Sequence, residues 1–188
     1  MKKKRLYSML CAWLFSTLAI GGNISALPLI PASVLTASAT ETTDQGLQYE
    51  ITDGEIRITG HTDDLPAAVV IPDEIGGVPV TGIGDNAFSW CEKLTSVTLP
   101  DSLTRIGVGA FAGCTHLTDI TIPKNVTSIA SPALFSYCDA LRSIAVDPDN
   151  TAYASADGVL FNKDLTQLLR YPIGNGGTQY SVPDSVTA

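Results

Sequence analysis

The most constraining feature of the sequence is an internal repeat that is clear from Phe88 onward. The step from Phe88 to Phe111 is 23 and that from Phe111 to Phe135 is 24, so one residue is inserted in the third unit, near positions 131–132. The step of 23 also separates Leu94 from Leu117, Pro100 from Pro123, Ile106 from Ile129 and Cys91 from Cys114. Self-similarity at a period of about 20 to 50 residues is typical of solenoids, in which each repeat forms one coil.

One unit, from Leu94 to Cys114, places apolar residues where a coil needs an interior. These residues are Leu94, Val97, Leu99, Leu103, Ile106, Ala110, Phe111 and Cys114. The early L-x-x-V-x-L part predicts a short strand with alternate side chains inward, and Pro100 ends it because proline cannot donate a ladder hydrogen bond. A single coil cannot bury its own apolar side, whereas stacked coils with strands about 4.8 Å apart can. The sequence therefore predicts a right-handed solenoid of short parallel β-strands with few helices.

The pattern L-x-x-V-x-L-P-x-x-L-x-x-I-G-x-x-A-F-x-x-C resembles the BspA-type, or Treponema pallidum-type, leucine-rich repeat. The first matching unit supplies Leu94, Val97, Leu99, Pro100, Leu103, Ile106, Gly107, Ala110, Phe111 and Cys114. The next supplies Leu117, Ile120, Ile122, Pro123, Val126, Ile129, Ala133, Phe135 and Cys138. The resemblance implies a bacterial secreted or surface protein that acts in adhesion or interaction with host or neighbouring-cell proteins. The matching positions are all packing positions, so they carry architecture rather than activity.

The N-terminal segment, residues 1–39, has the features of a secretory signal. The basic segment Lys2–Arg5 precedes an apolar run, Leu6–Ile20, that is too short for a comfortable membrane span. Cleavage is expected after Ala39, where the small-residue site has the better form, with Ala26 as the alternative site and an uncleaved anchor as the alternative interpretation. The sequence thus predicts a secreted or cell-surface-associated protein with no membrane span after signal cleavage.

The charge that remains after cleavage limits the partners. All 19 acidic residues and seven of the 11 basic residues follow Ala39, which gives 7 − 19 = −12. Phosphate binding depends on clustered Lys and Arg, and no such cluster follows Ala39. Nucleic acid and anionic bilayers are therefore excluded as expected partners, and we expect a monomer.

Three segments are predicted along the chain. They are residues 1–39 (signal peptide and leader), 40–64 (polar leader and N-terminal capping hairpin) and 65–188 (repeats, the last one incomplete). Within the second segment, Glu41–Gly46 is expected to be a loose leader and His61–Asp64 a polar link. Between them, Leu47–Thr59 reads as two strands around Asp53–Gly54, a dipeptide that favours a tight hairpin turn and would close the first coil.

Two irregularities interrupt the repeats. The loop from Pro72 to Ile83 is longer than its counterpart in the next unit, and the inserted residues are placed at Gly76–Pro79. A second hairpin is predicted within 157–172, turning near Asn162, and the resemblance implies the same insertion. Beyond it, a repeat strand is expected to restart at Tyr180.

No constellation of catalytic or metal-binding residues stands out. Cys91, Cys114 and Cys138 share one repeat position and are expected to stack as a packing column, with a disulfide between two of them as the alternative. His116 lacks the companions that zinc needs and is interpreted as a surface loop residue, whereas His61 falls in the predicted polar link. The acidic run Asp147–Asn150 does not fit a calcium loop and is explained by turn chemistry. We therefore expect neither a cofactor nor enzymatic activity.

The remaining candidate site is the outward side of the predicted strands. Its side chains are short and rich in hydroxyl groups: Ser96, Thr98, Asp119, Thr121, Ser143, Gln179 and Ser181, with Ala68, Val70 and Ala145 beside them. Such an extended surface is what solenoids commonly use to bind other molecules, here protein or glycan partners. Two alternatives stay open: an accessory region of a larger secreted hydrolase, and a structural spacer.

Overall fold

A computed structural model describes residues 40–177 and 179–187, so the predicted signal peptide lies outside the described residues. The strands are β1 Glu41–Thr42, β2 Leu47–Thr52, β3 Glu55–His61, β4 Ala68–Val70, β5 Glu74–Ile75, β6 Val78–Ile83, β7 Ser96–Thr98, β8 Arg105–Ile106, β9 Asp119–Ile122, β10 Ser128–Ile129, β11 Ser143–Val146, β12 Tyr153–Ala156, β13 Val159–Asn162 and β14 Leu168–Arg170. Two short 3₁₀ helices, Pro132–Phe135 and Ile173–Asn175, are the helices of the described part. None of its helices has the length and apolar character that crossing a bilayer requires.

The predicted repeat strands are β4, β7, β9 and β11, here called the front strands. Parallel ladders join β4 to β7 and β9 to β11. Between these two pairs, the Thr118 N–H donates to the Thr95 carbonyl at 3.3 Å. Val146 lies in register with Ile122. The interior residues Val69, Val97, Ile120 and Ile144 are all buried. The predicted solenoid of stacked parallel strands is confirmed.

A second row of parallel strands, which the sequence did not predict, forms another side of each coil. These rear strands are β3, β6, β8 and β10, and consecutive members pair in parallel. Ile83, Ile106 and Ile129 occupy the same register position. Strands β8 and β10 have only two residues each, too few to show an alternating pattern, and the neighbouring coils supply their backbone partners.

The third side of the coil is held by backbone hydrogen bonds and a row of aromatic rings. The Phe88 N–H donates to the Ala110 carbonyl at 2.8 Å, and the Phe111 N–H donates to the Leu134 carbonyl at 3.2 Å. The ring of Phe88 stacks on that of Phe111 with centroids 5.2 Å apart, and Phe111 stacks on Phe135 at 5.9 Å. All three phenylalanines are fully buried. The residue inserted in the third unit is absorbed by the 3₁₀ helix, whose Ala133 N–H donates to the Ser131 hydroxyl.

The prediction that His61 belongs to a polar link is wrong. His61 ends β3, and its half-buried imidazole stacks on Phe88 with centroids 6.0 Å apart and an angle of 9° between the rings. Phe88 is the first phenylalanine of the aromatic row, so no other phenylalanine covers the face of its ring that points away from Phe111. The His61 imidazole covers that face instead. The segment predicted to be a polar link thus contributes to closing the core.

The predicted N-terminal hairpin is confirmed. Strands β2 and β3 pair antiparallel around Asp53 and Gly54, whose φ angles of 55° and 80° fit the tight turn. Strand β3 then pairs in parallel with β6, so the hairpin covers the end of the rear strands. Glu41–Thr42 is not loose, because it forms β1 against β2, and the Tyr49 hydroxyl donates to the Glu41 carboxylate at 2.7 Å. Burial and this carboxylate raise the pKa of Tyr49 to about 12.

The longer loop after Pro72 is a hairpin of its own. Strands β5 and β6 pair antiparallel, and the turn between them contains Gly76 and Gly77 with φ angles of 62° and 82°. Glycine adopts these left-handed angles at little cost, which explains the glycine pair. Strand β6 continues from this hairpin, and its last residues, Gly82 and Ile83, pair with the rear strand β8.

The predicted second hairpin is present, with one more strand than expected. Strands β12, β13 and β14 form an antiparallel sheet, of which β12 lies before the predicted 157–172 segment. The buried Asn150 anchors its entry: its amide donates to the carbonyls of Pro123 and Val126, and its side-chain oxygen accepts from the Ala152 and Tyr153 N–H groups. The run Asp147–Asn150 is therefore a turn that fixes the insertion on the previous coil.

The expected restart of a repeat strand at Tyr180 is wrong. Residues 179–187 contain no strand. The outer edge of β11 is already occupied, since the Ile144 N–H donates to the Gly158 carbonyl at 2.8 Å. With that edge covered by the inserted sheet, the following segment cannot pair with β11.

Candidate functional site

The front strands bring most of the predicted binding residues into two parallel rows. In register, Ala68 pairs with Ser96 and Val70 with Thr98, and likewise Asp119 pairs with Ser143 and Thr121 with Ala145. The six of these residues on β4, β7 and β9 are exposed, whereas Ser143 and Ala145 are half-buried. We call these eight residues the front face. Because alternate residues of a strand point to the same side, the exposure of this set follows from the burial of Val69, Val97, Ile120 and Ile144 between them.

The structure does not bring Gln179 and Ser181 into this face. Both are exposed, but they lie outside any strand. The inserted sheet stands where their strand was expected, and its Gly158 lies so close to Ser143 that an added Cβ would come within 2.9 Å of the Ser143 hydroxyl oxygen. Sequence spacing alone could not reveal this, because the insertion, rather than the next repeat, covers the edge of β11.

The front face has little charge. Seven of its eight side chains are uncharged, and Asp119 is the exception. The neighbouring Thr95 hydroxyl donates to the Ala67 carbonyl at 3.0 Å and so ties adjacent coils together at the margin of the face. At the loops that follow the strands, Lys124 and Asp101 form an ion pair of 2.9 Å. Short hydroxyl side chains on a rigid backbone give a surface that can donate and accept hydrogen bonds without rearrangement.

The predicted cysteine column is a packing element. Cys91, Cys114 and Cys138 are buried and free. The Cys114 thiol donates to the Phe88 carbonyl at 3.1 Å, and the Cys138 thiol donates to the Phe111 carbonyl at 3.0 Å. Burial raises the pKa of all three thiols, that of Cys138 to about 11. A thiol held protonated in this way is a poor nucleophile, so the column links coils rather than performing chemistry.

The imidazole of His116 is held by neighbouring polar groups. It is exposed, and its Nδ1 lies 2.8 Å from the Glu92 carbonyl oxygen and 3.2 Å from the Thr115 hydroxyl. Within residues 40–177 and 179–187, no group of three or more His, Cys, Asp or Glu side chains is arranged to hold a metal ion.

A groove of about 560 Å³ crosses the outer side of the rear strands. Its centre is the register row Arg57, Gly82, Arg105 and Ser128. The guanidinium of Arg57 pairs with Glu50, and that of Arg105 lies 3.8 Å from Glu55. Acidic partners therefore offset both arginines, which argues against an anion site in this groove.

Trp90 and Tyr137 are exposed aromatic residues whose contact with each other was not predicted from the sequence. They occupy the same repeat position as Gly113, which follows Trp90 by a step of 23 and precedes Tyr137 by a step of 24. Their rings stack with centroids 5.8 Å apart, although the side chains are 62% and 64% exposed. An alignment of the three repeat units indicates this contact, since it places Trp90, Gly113 and Tyr137 at one repeat position, with one aromatic residue on each side of the glycine.

Comparison with known proteins supports the architecture. The solved structure of the pneumococcal vaccine antigen PcpA superposes with a TM-score of 0.50 at 20% identity, and the match covers 79% of this chain and 60% of that chain. This chain thus spans less than two thirds of the antigen's solved length. A leucine-rich repeat protein from Bacteroides capillosus is 25% identical with a TM-score of 0.44, over 58% of this chain and 99% of that chain. The T. pallidum leucine-rich repeat protein is 26% identical with a TM-score of 0.34, over 55% and 70%.

Among curated protein sequences, none matches this chain. The family described as "BspA type Leucine rich repeat region" matches residues 74–168, which is just over half of the sequence and covers the coils from β5 to the start of β14. The chain therefore belongs to the BspA-type leucine-rich repeat family.

Proposed function

We propose that the protein is a secreted or cell-surface, non-enzymatic binding module that captures a protein or glycan partner on its front face. The observation that supports this most strongly is the register of the front strands, where short side chains of neighbouring coils lie side by side, β4 with β7 and β9 with β11, and six of the eight are exposed. Repeat proteins commonly bind through such extended surfaces because the stacked backbone holds them in one shape. The N-terminal sequence, with its basic head and apolar run, supports the extracellular location.

The charge and the thiols agree with this function. A chain that carries −12 after Ala39 is suited to partners that are neutral or basic rather than to phosphate backbones. The cysteines that could act as nucleophiles are buried, with their thiol pKa values raised. The site therefore works through surface complementarity, and its partners are host or neighbouring-cell surface or matrix proteins or glycans.

Replacing two hydroxyl residues of the front face with arginine tests the proposal. Ser96→Arg with Thr121→Arg places two long cationic side chains on exposed positions of β7 and β9, where they block a flat partner sterically. We expect an unchanged circular dichroism spectrum and melting temperature, with capture on an array of matrix proteins and glycans reduced by about tenfold or more.

The matched control carries the same added charge elsewhere. Thr52→Arg with Ser128→Arg changes two exposed hydroxyl residues of β2 and β10, away from the front strands. This variant should retain capture. If both double variants capture the partner as well as the unchanged protein does, the front face is not the binding site. A protein that captures nothing on the array would instead fit a structural spacer.

A further inference from the structure

The coil corner that carries Trp90, Gly113 and Tyr137 is unusual in its backbone. All three residues have left-handed φ angles, of 59°, 77° and 60°. Glycine takes this conformation readily, whereas bulky residues in it are strained, and such strain concentrates at functional sites. In the middle coil, glycine adopts this left-handed φ angle. A larger residue does not fit there, because an added Cβ at Gly113 would come within 2.7 Å of the Trp90 indole. The two outer coils hold aromatic residues instead, although neither ring is buried.

The two rings form one exposed apolar surface, here called the aromatic edge (Trp90 and Tyr137). Their planes differ by 22° and their centroids are 5.8 Å apart, with Gly113 at the same repeat position in the coil between them. At 62% and 64% exposure, these side chains contribute little to the core. Exposed aromatic residues that pack on each other rather than inward are typical of binding surfaces.

A pocket lined by both polar and apolar side chains adjoins the aromatic edge. It has a volume of about 210 Å³, and Trp90 forms part of its wall. Its polar lining comes from His61, Thr62, Asp63, Glu92 and Lys93. The Lys93 ammonium group donates to the Asp63 carbonyl at 3.0 Å. This hydrogen bond joins the two chain segments that line the pocket. Hydrogen-bond donors and acceptors thus line the same pocket as an exposed indole.

This combination selects one class of ligand. A pyranose ring has an apolar face of C–H groups that stacks on an aromatic ring, and hydroxyl groups around its rim that bond to carboxylates, ammonium groups and hydroxyls. The carboxylates Asp63 and Glu92 oppose a phosphate-rich ligand. Two rings offer far less area than a stable protein interface buries. We infer that the aromatic edge and its pocket form a glycan-binding site for uncharged pyranose units, separate from the front face.

The chain allows a direct optical test. Its two tryptophans are Trp13 and Trp90, so the full chain carrying Trp13→Phe reports on Trp90 alone. An array of neutral pyranose oligosaccharides selects candidates, and those captured, together with soluble cellohexaose and chitohexaose, are titrated while tryptophan emission is recorded. We expect a saturable shift of Trp90 emission with at least one oligosaccharide. Tyr137→Gly should weaken that affinity by about tenfold, and Trp90→Gly should remove capture on the array.

Glycine is the right replacement because Gly113 shows that the coil accepts it at this position, so these variants keep the fold. The front-face double variant, Ser96→Arg with Thr121→Arg, should bind the Trp90-dependent oligosaccharide unchanged while it loses the partner that the front face captures, and the glycine variants should keep that partner, so each proposal can fail without the other. Either of two results would overturn the inference: no oligosaccharide shifts the emission, or the glycine variants capture glycans as well as the parent does.

Discussion

Phe111→Ala should lower the free energy of unfolding by about 3–5 kcal/mol, the largest effect expected from a single substitution in this chain. Phe111 is fully buried and occupies the centre of the aromatic row, with Phe88 5.2 Å away on one side and Phe135 5.9 Å away on the other. Its removal leaves a cavity and two interrupted ring contacts, each of which contributes about 0.5–1.5 kcal/mol beyond burial. Urea unfolding followed by circular dichroism gives the free energy directly.

Val108→Ala is the matched control for this substitution. Val108 lies three residues earlier in the same coil and is 44% exposed, so its truncation should cost no more than about 0.5 kcal/mol. Phe111→Leu should lie between the two, because leucine refills part of the space. A loss below about 1 kcal/mol for Phe111→Ala, far under the usual cost of such a truncation, would mean that the ring does not hold adjacent coils together.

Gly107→Ala is expected to have the second largest effect, a loss of about 3 kcal/mol, at the upper end of what overpacking costs. Gly107 lies where two coils make backbone contact: an added Cβ would come within 2.6 Å of the Asp85 nitrogen and of the Gly84 carbonyl carbon. These atoms belong to the main chain and cannot rotate away. The preceding coil must therefore move, which also strains the bond from the Val108 N–H to the Asp85 carboxylate. Thermal unfolding of the variant measures the loss.

Gly82→Ala provides the contrast for the effect of backbone contact. Its added Cβ would meet the side chain of Arg57 at 3.5 Å, an ordinary contact, and its φ is not left-handed. This variant should be unchanged or more stable by about 0.4–1 kcal/mol, because alanine restricts the unfolded chain. Equal losses for the two variants would show that the glycines act through conformational freedom rather than close coil stacking.

The sequence predicted the elements that leave a local pattern and missed those that depend on neighbours. Val97 and Leu99 alternate with polar residues and follow a fixed step, so the front strands could be predicted. The dipeptide Asp53–Gly54 predicted its hairpin because it is itself a local turn signal. The rear strand Arg105–Ile106 has only two residues, and its existence depends on the backbone of the coils beside it. His61 gave no signal at all, because its role depends on Phe88, which lies more than one repeat farther along the chain.

For the candidate site too, residues within regular repeats were placed correctly and those that depend on neighbouring segments were not. Asp119 and Thr121 were placed correctly because they lie within regular repeats. Gln179 and Ser181 were misplaced because the sequence step was extended across an insertion whose Gly158 occupies the edge of β11. The stacking of Trp90 on Tyr137 was not predicted, because the two residues are two repeats apart and their contact depends on a glycine in the coil between them.

Cross-linking across adjacent coils tests the stacked register most directly. Thr121 and Ala145 face each other on neighbouring parallel strands, so their Cα atoms should be about 4.8 Å apart, within the range of a disulfide. Asp119 lies two residues away from Thr121, which places it about 8 Å from Ala145, beyond that range. We predict that Thr121→Cys with Ala145→Cys forms an intramolecular disulfide on mild oxidation, detected by peptide mass mapping, and that Asp119→Cys with Ala145→Cys does not. Efficient cross-linking of the offset pair, or none of the facing pair, would contradict the stacking of the coils.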